Sequence, residues 1–352
     1  MQNCFVGDTS APLKVVRAVA PIRICDNGGW TDTWFAGHGR VFNIAVTPYV
    51  AVRVGLHRDD GQGDHVTINL ESYGEQYSFG PDERPGRNPL IEATVDEVGL
   101  PDGVSADISI SSGVPPGSST GTSAAAAVAL IAALDALTPG RMTPHGIAAA
   151  AHRIEVDRMG LQSGIQDQIC AAYGGVNYID ISAYPEARVT QIPLTDGVRR
   201  ELETRLVLVC LGHPHDSSDI HERVIAALAG RGGDSALLAG LREAADAARD
   251  AMLAGDLVAL GRTLTSNTEL QRQLHPDLIS HEAQTVIDTA AAFGALGWKV
   301  NGAGGDGGSV TILCGREEGA RRRLERALAA AEPSIQVVPT ALSREGVRTW
   351  EE

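Results

Sequence analysis

The sequence predicts an α+β protein of two domains, and three observations predict it. Strand-like and helix-like segments come in runs rather than in strict alternation, which fits α+β better than a doubly wound parallel sheet. The chain has 352 residues, beyond the usual size of one domain. Its 43% hydrophobic and 21% charged residues supply an ample core. The boundary falls near residue 195, giving an N-terminal domain over 1–195 and a C-terminal domain over 196–352.

The elements follow in order. LKVVRAVAPIRIC and VFNIAVTPYVAVRVGL, within 13–56, are rich in Val and Ile and alternate in polarity, so both read as strands. The loop DNGGWTDTWFAGHGR separates them. HVTINLES near 65–72, EQYSFG near 75–80 and SADISISS near 105–112 read as further strands. Helical patterns follow at about 121–137, 144–159 and 163–172, before GGVNYIDIS and ARVTQIPL return to strand. From Arg205, RLVLVCLG opens the second half as a strand, and three or four Ala- and Leu-rich helices fill 217–294. WKVNGAGGDGGSVTILC reads as strand, glycine loop and strand, followed by a helix near 316–331 and the short strand SIQVVP.

Charge and cysteines narrow the function. A formal net charge of −15 argues against non-specific binding to nucleic acid or to an anionic membrane. A phosphorylated ligand would need local help from backbone N–H groups, a helix terminus, a metal or a placed Arg. The five cysteines are scattered, with no CxxC pair, and suggest neither a disulfide framework nor a zinc site. The opening residues lack a basic-then-apolar signal pattern, and the apolar run 124–134 is too short to span a bilayer. A cytoplasmic enzyme or binding protein, monomer or homodimer, is the expectation.

Four stretches could carry chemistry. PPGSSTGTSAAAAVAL, from Pro115, is a Gly/Ser/Thr loop that turns directly into an Ala-rich helix. A helix start leaves backbone N–H groups unpaired and carries about half a positive charge, so a phosphate can sit there. Ser and Thr are equally good helix caps, so a capped core helix fits the same letters. The loop lacks the Gly-Lys-Ser/Thr ending of a Walker A motif. NGAGGDGGS, at 301–309, lies between strands and not before a helix, against a Rossmann reading; its five glycines over 302–309 imply positive φ or a close approach. HRIEVDRMGLQSGIQDQ places Glu155 and Asp167 around a break between helical pieces, where acids could ligate Mg²⁺ or accept a hydroxyl proton. APIRICDNGGWTDTWF gathers Arg23, Asp26, Trp30 and Asp32, suited to a polyhydroxylated ligand. Each of the last two also reads as ordinary surface carboxylates or a polar turn.

Together and in this order the motifs resemble the GHMP kinases, the superfamily of galactokinase, homoserine kinase and mevalonate kinase. APIRICDNGGWTD, PPGSSTGTSAAAA and NGAGGDGGSV are similar to its three motifs, and the likeness runs from Val16 to about Cys314. GGWTDT and SGIQDQICAAYGGVNYID resemble the sugar 1-kinase branch, the heptose 7-phosphate kinases and fucokinases. The resemblance implies an N-terminal domain like ribosomal protein S5 domain 2, a ferredoxin-like C-terminal domain, and an active site between them. It implies ATP as phosphoryl donor, Mg²⁺, and a sugar, sugar phosphate or sugar-like cyclitol as acceptor, with the anomeric hydroxyl as the expected site of transfer. Asp167 matches the carboxylate set against the accepting hydroxyl, and Arg23 the cation beside it. Ser123 and Glu155 match the Mg²⁺ ligands. Pro116, Gly117, Ser118, Ser119, Thr120, Gly121, Thr122 and Ser123 would wrap the nucleotide. Asp32 would bind sugar hydroxyls, with Gly28, Gly29 and Trp30 shaping the pocket, and Gly302, Ala303, Gly304 and Gly305 would close the cleft.

Several residues depart from the pattern. Asp26 and Asn27 stand where small and apolar residues are usual, and are expected beside the sugar pocket. Gly29 replaces the acid of galactokinases, which argues against galactose. GHPHDSSDIHERV, at 212–224, lacks the Arg expected near His215, against a heptose 7-phosphate; His213, His215 and His221 are weak metal candidates, and Asp306 has no assigned role. The competing readings are a sugar- and ATP-binding regulator without turnover, and a kinase for a non-sugar alcohol.

Overall fold

The computed structural model describes residues 11–59, 61, 65–138, 141–212, 217–228, 235–305, 307–332 and 334–352. Among these, the larger sheet has eight strands. Strand β1 (Lys14–Asn27) pairs antiparallel with the 20-residue β2 (Gly39–Arg58). Two partners share β2. Its second half pairs with β5 (Val104–Ser112), and its first half with β6 (Val176–Ala183). Outside β5 lie the parallel β3 (Val66–Leu70) and then β4 (Glu75–Phe79); outside β6 lies β7 (Glu186–Gln191). The last strand, β12 (Arg348–Glu351), returns to the free edge of β1.

Helices α1 (Pro89–Val98), α2 (Thr122–Asp135), α3 (Pro144–Arg153) and α4 (Gln166–Tyr173) form a layer in which α2 touches the other three and also β1 and β2. Every residue of α2 from Ala124 to Asp135 is buried. A helix apolar on all sides belongs inside, and its alanines let all these neighbours approach closely. Only its N-terminus is open.

The second sheet is antiparallel, in the order β11 (Gln336–Val338), β8 (Leu206–Cys210), β10 (Ser309–Leu313), β9 (Gly297–Val300). After α5 (Asp196–Arg205), α6 (Ser217–Leu228), α7 (Ala236–Ala254), α8 (Leu257–Leu274), α9 (His281–Ala292) and α10 (Ala320–Ala331) complete the chain. Val286, Ile287, Leu324 and Leu328 of α9 and α10 join Val207, Val209, Val310 and Ile312 in one core. Helices α7 and α8 lean the other way, with Ala245, Ala248, Leu260 and Leu264 in the core of the large sheet. They join the two sheets into one body.

The α+β expectation holds, and most elements lie where the sequence puts them. Helices α1 and α5 and strand β12 were not read from the sequence. The helix expected over 144–159 is α-helical to Arg153 and then opens into a π-helical turn, Ile154–Arg158.

Candidate active site

A cleft of about 660 Å³ opens between the two sheets, over the N-terminus of α2. On one side, the β1–β2 ladder shifts register between Ala20 and Ile22 and again between Ile24 and Asn27. Such bulges re-aim side chains, and Arg23 lies between them. Its Nε is 2.8 Å from Asp167 Oδ1 and its Nη2 3.3 Å from Oδ2. Nη1 also donates to the Ser119 carbonyl. Burial pulls the guanidinium down, but the charges of Asp167 and Asp26 outweigh it and leave Arg23 above its ordinary value.

The loop 117–123 lines the cleft throughout. Its N-cap residue Gly121 has φ 71° and offers α2 no side-chain cap, so the structure does not support the simple capped-helix reading. A Cβ on Gly121 would lie 3.1 Å from Asp167 Cγ, so the helix start and the carboxylate are in contact distance. Ser123 is exposed toward the cleft, whereas Ser118 and Thr120 are buried. The loop is tied to the second sheet: Ser309 Oγ donates to Ser118 O at 2.6 Å, and Gly308 N–H to Gly117 O at 3.1 Å. Beside it, a mainly apolar slot of about 110 Å³ is lined by Tyr73, Leu90, Ile110, Pro116, Thr122 and others. The phosphate-loop motif supplies one wall through Pro116, Gly117 and Thr122; the other walls, from strands, a turn and α1, carry no sequence motif.

Glu155 sits in the π-helical turn, a device common at functional sites, and reaches the cleft with 6% exposure. Ser163 Oγ and Gln168 Nε2 donate to its Oε2 at 2.5 and 2.9 Å. Burial is the main cause that pushes Glu155 up to about 7, with Asp167 adding to it. Asp32 is likewise buried and pushed up to about 6, mainly by burial, against the hydrogen bond it takes from Gln166 N–H at 3.1 Å. A Cβ on Gly164 would fall 2.1 Å from Asp32 Oδ2, so glycine there admits the carboxylate.

The expected pocket residues divide. Gly29, Trp30, Asp32, Gly302 and Ala303 line the cleft. Gly28 is packed against the Arg40 carbonyl, while Gly304 and Gly305 turn to Leu278. Asp26 borders the cleft but is only 1% exposed; Asn27 turns away to Thr263 Oγ1 at 3.0 Å. Asp306, His213 and His215 lie outside the described residues, as does the side chain of His221. Sequence reasoning missed Lys299, fully buried 3.2 Å from Asp26 Oδ1. The signal was a lysine inside an apolar strand.

Likeness to known proteins gives the class, a small-molecule kinase of two-domain fold. The chain matches the GHMP kinases N terminal domain over residues 89–175 and the GHMP kinases C terminal domain over 248–333. It is 24% identical over 345 residues to the D-glycero-alpha-D-manno-heptose 7-phosphate kinase of Campylobacter jejuni, covering 96% of this chain and 99% of that one. It is 30% identical over 291 residues to the mevalonate kinase of Methanothermobacter thermautotrophicus, covering 80% and 86%. In structure it is similar to a galactokinase of Lactococcus lactis complexed with galactose, with a TM-score of 0.75, 18% identity and 95% of each chain covered. The chain belongs to the GHMP kinases. It is a phosphotransferase with an alcohol group as acceptor, of a family that uses ATP. Among the described residues no helix is long and apolar enough to cross a membrane.

Proposed function

We propose that the protein transfers the γ-phosphoryl group of ATP to the anomeric hydroxyl of an uncharged sugar, or to a ring hydroxyl of a sugar-like cyclitol. The observation that carries this reading is the Arg23–Asp167 pair, with the exposed edge of Asp167 beside the open N-terminus of α2. Asp167 accepts the proton of the acceptor hydroxyl as its oxygen bonds to the γ-phosphorus. The bond from that phosphorus to the bridging oxygen breaks, and ADP leaves. Arg23 neutralises charge on the transferring group. Phosphoryl transfer needs mainly such alignment and neutralisation, because its transition state is loose.

The backbone N–H groups at 117–123 and the dipole of α2 hold the phosphates in an acidic protein. The apolar slot beside them takes the base. Ser123 and Glu155 fit Mg²⁺: both offer hard oxygen, and among the described residues no group of three or more metal-ligating side chains builds a protein-only cage. Bound there, Mg²⁺ would offset the charge of the β- and γ-phosphates. Asp32 accepts hydrogen bonds from acceptor hydroxyls, and the Trp30 ring covers an apolar ring face.

The charges lining the cleft favour an uncharged acceptor. Among its described residues Asp26, Asp32, Glu155, Asp167 and Glu222 are acidic, and the single cation, Arg23, is already paired with Asp167. The similarity to a heptose 7-phosphate kinase and to mevalonate kinases supplies the alternatives. The test is ADP release with ATP and Mg²⁺ across free heptoses, fucose, arabinose, mannose, cyclitols, heptose 7-phosphate and mevalonate, with the product examined by ³¹P NMR. Turnover of a free sugar to its 1-phosphate, or of a cyclitol to a monophosphate, is expected. Turnover of heptose 7-phosphate alone overturns the uncharged acceptor, and of mevalonate alone the sugar. ATP binding without any turnover favours a regulator.

A further inference from the structure

We propose that Lys299 and Asp26 are positioning residues, a buried ion pair that holds Gly302 against the Arg23–Asp167 pair and so aligns the two halves of the cleft. The inference rests on the kinase reading above. Lys299 is 0% exposed and Asp26 1%. Lysine is almost never so buried unless paired. Here its Nζ lies 3.2 Å from Asp26 Oδ1 and donates to Gln271 Oε1 at 2.8 Å and to the Val300 carbonyl. From this pair two arms reach one glycine. Asp26 Oδ2 accepts the Gly302 N–H at 2.9 Å, and Gln271 Nε2 donates to the Gly302 carbonyl at 3.0 Å. Asp26 therefore fixes the Gly302 N–H directly, and Lys299 steadies the Gln271 side chain that holds its carbonyl.

Gly302 touches the reacting machinery directly. A Cβ there would lie 3.0 Å from Arg23 Nη2 and 3.0 Å from the Ser119 carbonyl. Charges alternate along this line, from Asp167 to Arg23 to Asp26 to Lys299, and the line crosses from β1 of the large sheet to β9 of the small one. Stability alone does not account for the ions, since apolar residues of similar volume commonly replace a buried pair at no loss. What an apolar pair cannot supply is an acceptor for the Gly302 N–H, an anchor for Gln271 and a negative charge behind Arg23.

The test uses the full chain with Lys299→Met, Asp26→Leu and the double variant. Each single change strands a buried charge, so each lowers Tm. The double variant recovers most of that Tm, yet its kcat stays about 10–100-fold below wild type, the order of loss that a small misalignment of the reacting groups brings. Its KM for ATP changes less than about threefold. Recovery of kcat together with Tm overturns the proposal. Hydrogen–deuterium exchange of the peptide containing Gly302 gives a readout that needs no acceptor. Faster exchange in the double variant is expected, and wild-type protection there overturns the proposal. Should wild type turn over none of the acceptors above, the functional reading fails while this exchange result still decides the role of the pair.

Discussion

Arg23 and Asp167, 144 positions apart, meet edge to edge through contacts of 2.8 and 3.3 Å. The Arg23 side chain is 5% exposed and that of Asp167 27%, so the pair turns its acidic side to the cleft. A bidentate pair fixes orientation as well as charge. Asp167 thus has one stiff partner behind it and open space in front.

Asp167→Asn should lower kcat by about 10²–10⁴-fold, the usual contribution of a positioned acid or base. ATP binding, measured by calorimetry, should stay near wild type, because the phosphate loop makes its contacts elsewhere. Near-normal turnover would remove Asp167 from the proton-accepting role.

Gly121→Ala tests the contact between helix start and carboxylate. Gly121 and Gly103 have φ of 71° and 73°, so alanine at either costs about 1–2 kcal/mol. Only at Gly121 does the new methyl meet Asp167; at Gly103 it meets nothing within 4 Å. Similar Tm losses with a selective fall in kcat for Gly121→Ala are expected, and equal activities would refute the contact.

Glu155→Gln should raise the Mg²⁺ concentration for half-maximal rate by about tenfold or more. The variant keeps the shape of the side chain that Ser163 and Gln168 hold. An unchanged Mg²⁺ titration would sink the assignment.

Asp32 gives a pH signature. Its folded value of about 6 is raised, chiefly by burial, above the ordinary 3.8. The folded chain therefore holds this proton more tightly, and the resulting stability is full below about pH 4 and lost as pH rises through 6. Between pH 4 and 6 the Tm of wild type should fall relative to that of Asp32→Asn. A carboxylate that accepts sugar hydroxyls must be ionised, so the acceptor KM should rise below pH 6 in wild type, with the KM for ATP unmoved. An acceptor KM indifferent to both pH and the substitution would exclude Asp32 from the pocket.

Much was legible because it is local. The alternation in 13–56 determined β1 and β2, the Ala run determined a buried α2, and the texture change at Pro115–Ala124 marked an open helix start. Family motifs named Arg23, Glu155 and Asp167, and the fold brings all three to one cleft. What the sequence could not determine depends on partners distant in the chain. Residues 348–351 carry too few letters to declare a strand, and become one only because β1 offers them an open edge. Gly304 and Gly305 look like cleft residues until Leu278 arrives to occupy their free side. Asp26, expected beside a sugar, borders the cleft but is buried against a lysine 273 positions away. Backbone preference and periodicity are written residue by residue. Which buried charge meets which is decided only when two sheets close on each other, since desolvation forces every buried ion to find a partner.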